Sequence, residues 1–208
     1  MSTKDKEKWD AKYSAGAFES RQYPSIYLAE HLTDITRGLE SAGISPPWRA
    51  LDIACGAGRN THYLSAEGFV VDAVDISSTG LERAAQKAPE TAATVSWIQY
   101  DLERGLPENL TDYHLIIMMR YVNLPLLSTL EPKLLPGGYI ICEEHMRTEL
   151  MVNGPKNPNF RVAPGQLAHA LVEQSNSKLQ VEQLSEGEIT DPDGEAAAVA
   201  RILVRKPA

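Results

Sequence analysis

The chain has 208 residues, of which 43% are hydrophobic and 23% charged, and its formal net charge is −8. Such values are typical of one globular domain, and no apolar run approaches the ~20 residues of a membrane-spanning helix. The acidic balance argues against non-specific binding to nucleic acid, which depends on Lys and Arg at the phosphates. We therefore expect a small-molecule partner, with no nucleic acid and no membrane.

The N-terminus and the cysteines favour a reducing compartment. The first ten residues are mostly charged and lack the apolar core of a signal peptide. The two cysteines, Cys55 and Cys142, do not form a disulfide framework. These features predict a cytoplasmic protein, and they leave open whether it is a monomer or a homodimer.

Helical patterning is typical of the first 45 residues. Four apolar residues recur at intervals of three and four: Leu28, Leu32, Ile35 and Leu39. This spacing predicts a helix face packed on a sheet. The helical segment is predicted to reach about Gly43, before Ser45-Pro46-Pro47 breaks the pattern. We expect a single domain in which residues 1–45 form a helical cap on a core of residues 46–208.

Strand and helix patterns alternate along the rest of the chain. The predicted strands are 49–53, 69–74, 94–99, 113–119 and 138–143. The predicted helices are 59–67, 78–88, 123–131 and 164–175. Continuous apolar runs at 115–119 and 139–142 are typical of a parallel sheet that is buried on both faces. Two final runs, 179–184 and 199–204, have no helix between them and predict an antiparallel hairpin.

Residues 50–60 form the most informative motif. Asp52 ends an apolar run, and Gly56-x-Gly58 leads directly into a helical pattern. Glycine permits positive φ and a close approach of the backbone to a ligand. The next apolar run ends at Asp75, where a carboxylate binds a ribose diol in nucleotide-binding α/β folds. Together these signals predict a cofactor that contains adenosine.

Two cofactor classes fit a glycine turn followed by a strand-end carboxylate. A nicotinamide cofactor is bound by Gly-x-Gly-x-x-Gly, but Thr61 occupies the position of the third glycine. Asp52 beside the turn would repel a pyrophosphate and would attract a sulfonium or ammonium group. The charge argument favours a methyl donor, and an NAD(P)-dependent reductase remains the alternative.

The motifs resemble the class I S-adenosylmethionine-dependent methyltransferases along nearly the whole chain. Asp52-x-Ala54-x-Gly56-x-Gly58 resembles the family's acidic residue and three glycines, with Ala54 at the first glycine. Leu135-Pro136-Gly137-Gly138-Tyr139 resembles the turn before the family's fifth strand. The resemblance implies an α/β fold, a doubly wound, mostly parallel seven-stranded Rossmann-like sheet with a C-terminal antiparallel hairpin and N-terminal helices. It also implies S-adenosyl-L-methionine as the cofactor.

The resemblance assigns cofactor contacts to individual residues. Asp75 matches the ribose-binding acid, Asp101 the acid near the adenine amino group, and Ile76 and Leu102 would sandwich the adenine ring. Small Cys55 is interpreted as a packing residue of the turn and not as a nucleophile. The full set implied to contact the cofactor is Trp9, Tyr13, Asp52, Ala54, Cys55, Gly56, Gly58, Asn60, Asp75, Ile76, Asp101, Leu102 and Met119.

Two looser matches resemble the tellurite-resistance and thiopurine methyltransferase branch. The first is Trp9-Asp10-x-x-Tyr13, whose aromatic residues would cover the cofactor as a lid. The second is the stretch 154–160 with Pro164-Gly165-Gln166-Leu167, where the branch usually has Glu in place of Gln166. The branch implies a small-molecule acceptor, such as a thiol or a tellurium or selenium compound.

Polar residues follow the fourth and fifth predicted strands, at the edge where a parallel sheet binds its ligands. Arg120 and Tyr121 are candidate substrate contacts, His145 is a candidate base, and Arg161 is a candidate partner for an anionic acceptor. Each also has a plain interpretation as a packing or surface residue. The five histidines lack ligand spacing, so no metal site is predicted. Because the motifs on the side of the acceptor match only loosely, a non-catalytic cofactor-binding protein also remains open.

Overall fold

The computed structural model describes residues 3–87, 94–173 and 177–208, which fold around one sheet. The strands are β1 (Arg49–Ile53), β2 (Val70–Asp75), β3 (Val95–Gln99), β4 (Tyr113–Met119), β5 (Leu134–His145), β6 (Gln180–Thr190) and β7 (Ala196–Arg205). Their order is β3-β2-β1-β4-β5-β7-β6. β1 to β5 pair in parallel, and β7 pairs antiparallel with both β5 and β6. The predicted seven-stranded, doubly wound sheet with its terminal hairpin is confirmed.

The helices are short apart from the first two. They are α1 (Thr3–Ser14), α2 (Ile26–Ser41), α3 (Arg59–Ala66), α4 (Ser78–Gln86), α5 (Leu124–Leu127) and α6 (Gln166–Ala168). The predicted apolar face of α2 is confirmed, because its four periodic residues are at most 3% exposed. They pack with residues of β1, β4 and β5 on one face of the sheet. A second cluster, which includes α5 and α6, covers the other face. Among the described residues, no helix combines the length and apolar character needed to cross a membrane.

Three helix predictions need correction. The opening segment is two helices, because residues 15–25 form turns and loop around Gly16 (φ +82°) and Pro24. The predicted helix 123–131 is one turn, α5, and a separate 3₁₀ turn at Glu131–Lys133. Pro132 has no N–H to continue a helix, and its ring would clash with the carbonyl four residues earlier.

The last predicted helix is also short. It begins after Gly165 (φ +73°) as α6 and continues as a π-helix over His169–Glu173. Residues 174 and 175 of the predicted helix, and residue 88 of the predicted helix 78–88, lie outside the described residues. The predicted fifth strand was too short, since β5 begins at Leu134, which pairs with Tyr113.

The strand order places the site. β1 lies between β2 and β4, so the crossovers leave in opposite directions on either side of it. In a doubly wound sheet this is where the carboxyl ends of the strands open a crevice for a ligand. The motif at residues 50–60 and the polar ends of β2, β4 and β5 all lie at this edge.

Candidate functional site

The turn after β1 depends on its two glycines. Gly56 (φ +58°) and Gly58 (φ +79°) adopt the left-handed region, and so does Ala54 (φ +58°). A Cβ on Gly58 would lie 2.8 Å from the Cβ of Ala84 and 2.8 Å from a ring carbon of Trp97. A Cβ on Gly56 would overlap the hydroxyl of Tyr13. The turn is therefore packed closely from two sides, which explains the requirement for glycine.

Asp75 connects this turn to the start of α4. Its Oδ2 accepts the Gly56 N–H and its Oδ1 accepts the Ser77 N–H, each at 2.8 Å. The side chain lies at the end of β2, and burial raises its pKa. A carboxylate has about four acceptor positions, so the two backbone bonds leave capacity for a ribose diol.

Asp52 is enclosed more completely than Asp75. The residue is 1% exposed, and its Oδ2 accepts the hydroxyl of Thr61 at 2.6 Å. Burial raises the pKa of Asp52 to about 7, against the opposing effects of the Thr61 hydrogen bond and the positive charge of Arg59. Its contact with the amino-acid part of a cofactor stays a prediction. Cys55 is buried beside it, and burial raises the pKa of its thiol, which keeps the thiol protonated.

An open cleft of about 550 Å³ lies beside the ends of β2 and β3. Ile76 and Asp101, the residues predicted to contact an adenine ring, line it together with Thr3 and Lys6 of α1. Asp101 also accepts the backbone N–H of Glu103 at 3.1 Å. Binding of adenine in this cleft stays a prediction.

Two residues proposed for the cofactor site lie deeper than the cleft. Leu102 (4% exposed) belongs to the core cluster on one face of the sheet, and Met119 (7% exposed) to the cluster on the other. Asn60 is buried as well, and its Oδ1 accepts the Ser25 N–H at 2.8 Å. Asn60 therefore joins the start of α3 to the segment before α2.

Helix α1 is fixed over the site by a polar contact that the sequence pattern does not reveal. Asp10 accepts the hydroxyl of Ser77 at 2.6 Å and the N–H of Thr79 at 3.2 Å. Although burial raises the pKa of Asp10, its hydrogen bonds with Lys6, Ser77 and Thr79 lower it to about 2. The contact places the Tyr13 ring, stacked on Trp9 at 6.1 Å, against the glycine turn.

On the other side of β1, the ends of β4 and β5 carry a buried ion cluster. Arg120 (φ +61°) donates from Nε to Glu143 at 2.6 Å and from Nη2 to Asp191 at 3.0 Å. Arg201 donates from Nε to the second oxygen of Glu143 at 2.7 Å. The Glu143 side chain is 3% exposed and both of these arginine side chains are 14% exposed. Arg120 is therefore held by two carboxylates.

His145 lies against this cluster. Nη1 of Arg120 is 3.4 Å from Nε2 of His145. Burial, then the positive charges of Arg120, Arg161 and Arg21, lower the pKa of His145 to about 3. The imidazole is therefore neutral at physiological pH, and it is a weaker proton acceptor than the sequence alone predicts for a base.

The depressed pKa of His145 predicts a loss of stability in mild acid. As the pH falls from 6.5 towards 3, unfolded His145 binds a proton that folded His145 does not, so the free energy of unfolding falls. The slope for one proton is about 1.4 kcal/mol per pH unit. Urea unfolding across this range should therefore show a shallower slope for His145→Gln, whereas His169→Gln, at an exposed histidine, should match the wild type. Equal slopes for His145→Gln and the wild type would contradict the assignment.

Arg161 organises the loop between β5 and α6. Its three donor nitrogens reach the carbonyls of Pro155 (2.8 Å), Met146 (2.9 Å) and Asn153 (3.4 Å). A Cβ on Gly154 would lie 2.8 Å from His145 Nδ1, so the loop packs directly on the imidazole. The region around Arg120, His145 and Arg161, which holds the candidate acceptor residues, is called the acceptor side. Arg161 adds positive charge to it while its nitrogens hold the loop.

The structure brings together three of the four candidate catalytic residues, Arg120, His145 and Arg161, and separates the fourth. Tyr121 directs its hydroxyl to Glu103 Oε1 at 3.0 Å, on the side of the predicted adenine cleft. Among the described residues, no group of three or more His, Cys, Asp or Glu is arranged to hold a metal ion.

Sequence reasoning missed several residues of the site. Arg21 pairs with Asp193 at 2.7 Å, and Arg59 is close enough for its charge to act on Asp52. Because Arg59 directly follows the glycine motif, its position in the sequence could have indicated that it belongs to the site. The pairing of Arg21 with Asp193 joins distant parts of the chain and leaves no local pattern.

Comparisons with known proteins bear on this geometry. A family model described as a methyltransferase domain matches residues 50–138. An uncharacterized methyltransferase of Synechocystis sp. is 35% identical over 96 residues, which are 41% of this chain and 45% of that protein. The chain thus spans less than half the length of this curated relative. Residues 50–138 are thus similar to a methyltransferase domain.

Two solved structures have a similar fold. TehB from Haemophilus influenzae has a TM-score of 0.62 and 23% identity, over 82% of this chain and 62% of that one. Magnesium protoporphyrin IX methyltransferase (ChlM) from Synechocystis PCC 6803, solved with bound SAH, has a TM-score of 0.65 and 14% identity, over 98% and 99% of the two chains. At these identities the likeness concerns the fold alone.

Proposed function

We propose that the protein transfers a methyl group from S-adenosylmethionine to a small-molecule acceptor. One observation carries the proposal: the glycine turn donates a hydrogen bond to the Asp75 carboxylate, and the cleft lined by Ile76 and Asp101 lies next along the ends of β2 and β3. Backbone, carboxylate and cleft thus follow one another in the order that an amino acid, a ribose and an adenine require. The structures of ChlM with SAH and of the glycopeptide N-methyltransferase MtfA with S-adenosylmethionine support the choice of cofactor.

The residues present fit this cofactor. Asp75 would accept from the ribose hydroxyls, Asp101 would accept from the adenine amino group, and Ile76 would cover the ring. The backbone at Gly56 and Gly58 can approach closely because a side chain fits at neither position. Asp52, enclosed beneath the turn, places negative potential near the cationic end. The bound cofactor supplies a methyl group on a sulfonium, a leaving group that needs no protonation.

The chain would contribute positioning, exclusion of water and electrostatics. Tyr13 and Trp9 of α1 close the turn from solvent. On the acceptor side, Arg120 donates to the unprotonated nitrogen of the neutral His145 ring and holds it in place, which leaves the other ring N–H to donate to an oxygen or sulfur of the acceptor. A thiol or a tellurium or selenium compound, the acceptor class proposed here, needs less help from a base than an alcohol does.

Calorimetry of the purified protein tests this function. We expect S-adenosylmethionine and its demethylated product, S-adenosylhomocysteine, to bind at micromolar concentrations, and NAD and NADPH not to bind. A panel of thiols, selenite, tellurite and phenols with labelled methyl donor then tests transfer. Failure to bind either cofactor form would overturn the proposal, and binding without transfer to any acceptor would indicate a non-catalytic cofactor-binding protein.

A further inference from the structure

Positive charge is concentrated on the acceptor side of an acidic protein. Five arginines act on this region, whereas three neighbouring carboxylates pair with them. The arginines are Arg21, Arg59, Arg120, Arg161 and Arg201, and the carboxylates are Glu143, Asp191 and Asp193. The buried Glu144 does not balance them, because burial raises its pKa well above the ordinary value. The region therefore has a positive potential although the chain carries −8.

The positive charge that is not paired with a carboxylate lies mainly on Arg59. Arg21, Arg120 and Arg201 each form an ion pair with a carboxylate, and the nitrogens of Arg161 are taken by carbonyls. Within residues 3–87, 94–173 and 177–208, the Arg59 side chain has neither a hydrogen bond nor an ion pair. Burial and the charge of Arg120 lower its pKa, so the guanidinium is partly desolvated and close to its neighbours. A partly desolvated guanidinium that forms no ion pair within the chain is suited to bind an anionic ligand.

Hydroxyl groups without partners lie beside Arg59. The hydroxyl oxygens of Tyr23 and Ser25 are buried, and neither has a hydrogen-bond partner among the described residues. Tyr23 is near enough to Arg59 for each charge to act on the other's pKa. Ser25 is linked by its N–H to Asn60, the residue next to Arg59. Buried hydroxyls normally find partners, so this set is suited to a ligand with several acceptor oxygens.

We propose that the methyl acceptor carries a carboxylate or a similar oxyanion, which Arg59 binds together with the Tyr23 hydroxyl. The inference rests on the proposed methyl transfer and names the class of its acceptor. The planar guanidinium matches an oxyanion with two parallel hydrogen bonds. The cofactor's own carboxylate has the same chemistry. The charge of Arg59 interacts with Arg120, Glu143 and Arg21 on the acceptor side and also acts on Asp52 and Tyr13 on the cofactor side, so the experiment has to distinguish the two anions.

Matched anionic and neutral probes test this inference. Ligand-observed NMR on protein saturated with S-adenosylhomocysteine would compare benzoate with benzamide and acetate with acetamide. We expect both anions to bind more tightly than their amides. Arg59→Met should weaken anion binding by roughly 10- to 100-fold, since a hydrogen-bonded charge is lost, and Tyr23→Phe by roughly fivefold. The control Arg37→Met removes an exposed arginine of α2 that pairs with Asp34, and it should change nothing.

The outcomes separate this inference from the proposed function. Equal binding of anions and amides in both pairs, or unchanged anion binding by Arg59→Met, would overturn it. If Arg59→Met weakens S-adenosylhomocysteine binding while anion binding persists, Arg59 binds the cofactor carboxylate and the acceptor proposal is wrong. The titrations are repeated without S-adenosylhomocysteine, so a failure of cofactor binding is recorded separately. Arg59→Lys keeps the positive charge and should retain part of the preference for anions. This variant shows that a loss in Arg59→Met is not caused by misfolding.

Discussion

Replacing Asp75 with alanine should weaken S-adenosylhomocysteine binding by about 1–3 kcal/mol, measured by calorimetry. The change removes the acceptor proposed for the ribose, and it also releases the N–H groups of Gly56 and Ser77. The turn that approaches the cofactor then loses its connection to α4. Both effects act in the same direction, which makes this the largest loss of affinity expected from a single change in the cofactor surface.

A matched control lies on the same strand. Asp72 accepts hydrogen bonds from Arg49 and Tyr113, away from the carboxyl end of β2. Asp72→Ala should lower the free energy of unfolding and leave S-adenosylhomocysteine affinity unchanged. If Asp75→Ala binds as tightly as the wild type, Asp75 is not part of the cofactor site.

Replacing Glu143 with alanine should lower the free energy of unfolding by about 3–5 kcal/mol at neutral pH. The carboxylate is buried and accepts from both Arg120 and Arg201. Its removal leaves Arg201 without this carboxylate and Arg120 with Asp191 alone, inside a region that already has excess positive charge. Urea unfolding measures the effect directly.

An exposed ion pair provides the comparison for Glu143. Asp34 and Arg37 on α2 form a pair at 2.8 Å in which both side chains are 69% exposed. Because water screens such a pair, Asp34→Ala should change stability by no more than about 0.5 kcal/mol. A comparably small effect of Glu143→Ala would show that the buried cluster does not stabilise the fold.

The sequence predicts those parts of the fold that depend on the local spacing of apolar residues. Continuous apolar runs gave the buried strands β4 and the centre of β5, and the spacing along α2 gave its buried face. The helix at 123–131 is shorter than predicted because its apolar residues continue to Leu130, whereas Pro132 disfavours helical backbone at the residue before it. Whether a helix continues at such a position depends on the backbone of one residue, which the pattern of apolar and polar side chains does not show.

The candidate site divides in the same way. Asp75 and the glycine turn are recognisable because their chemistry is local to one β-α-β unit. Tyr121 was grouped with Arg120, yet consecutive residues after a strand project to opposite sides, and its hydroxyl meets Glu103 instead. The contact of Asp10 with Ser77 joins residues 67 positions apart. Such contacts follow from the packing of α1 and have no signature in sequence.

The contact between Lys8 of α1 and the ring of Phe160, at 5.4 Å, couples the two halves of the site. Phe160 belongs to the loop that Arg161 holds against His145, while α1 covers the glycine turn. If the proposed cofactor binds beneath α1, its exchange requires α1 to move, and that movement would break the contact with the loop. Under the proposed function, an acceptor that holds the loop in place would then slow the release of the demethylated cofactor.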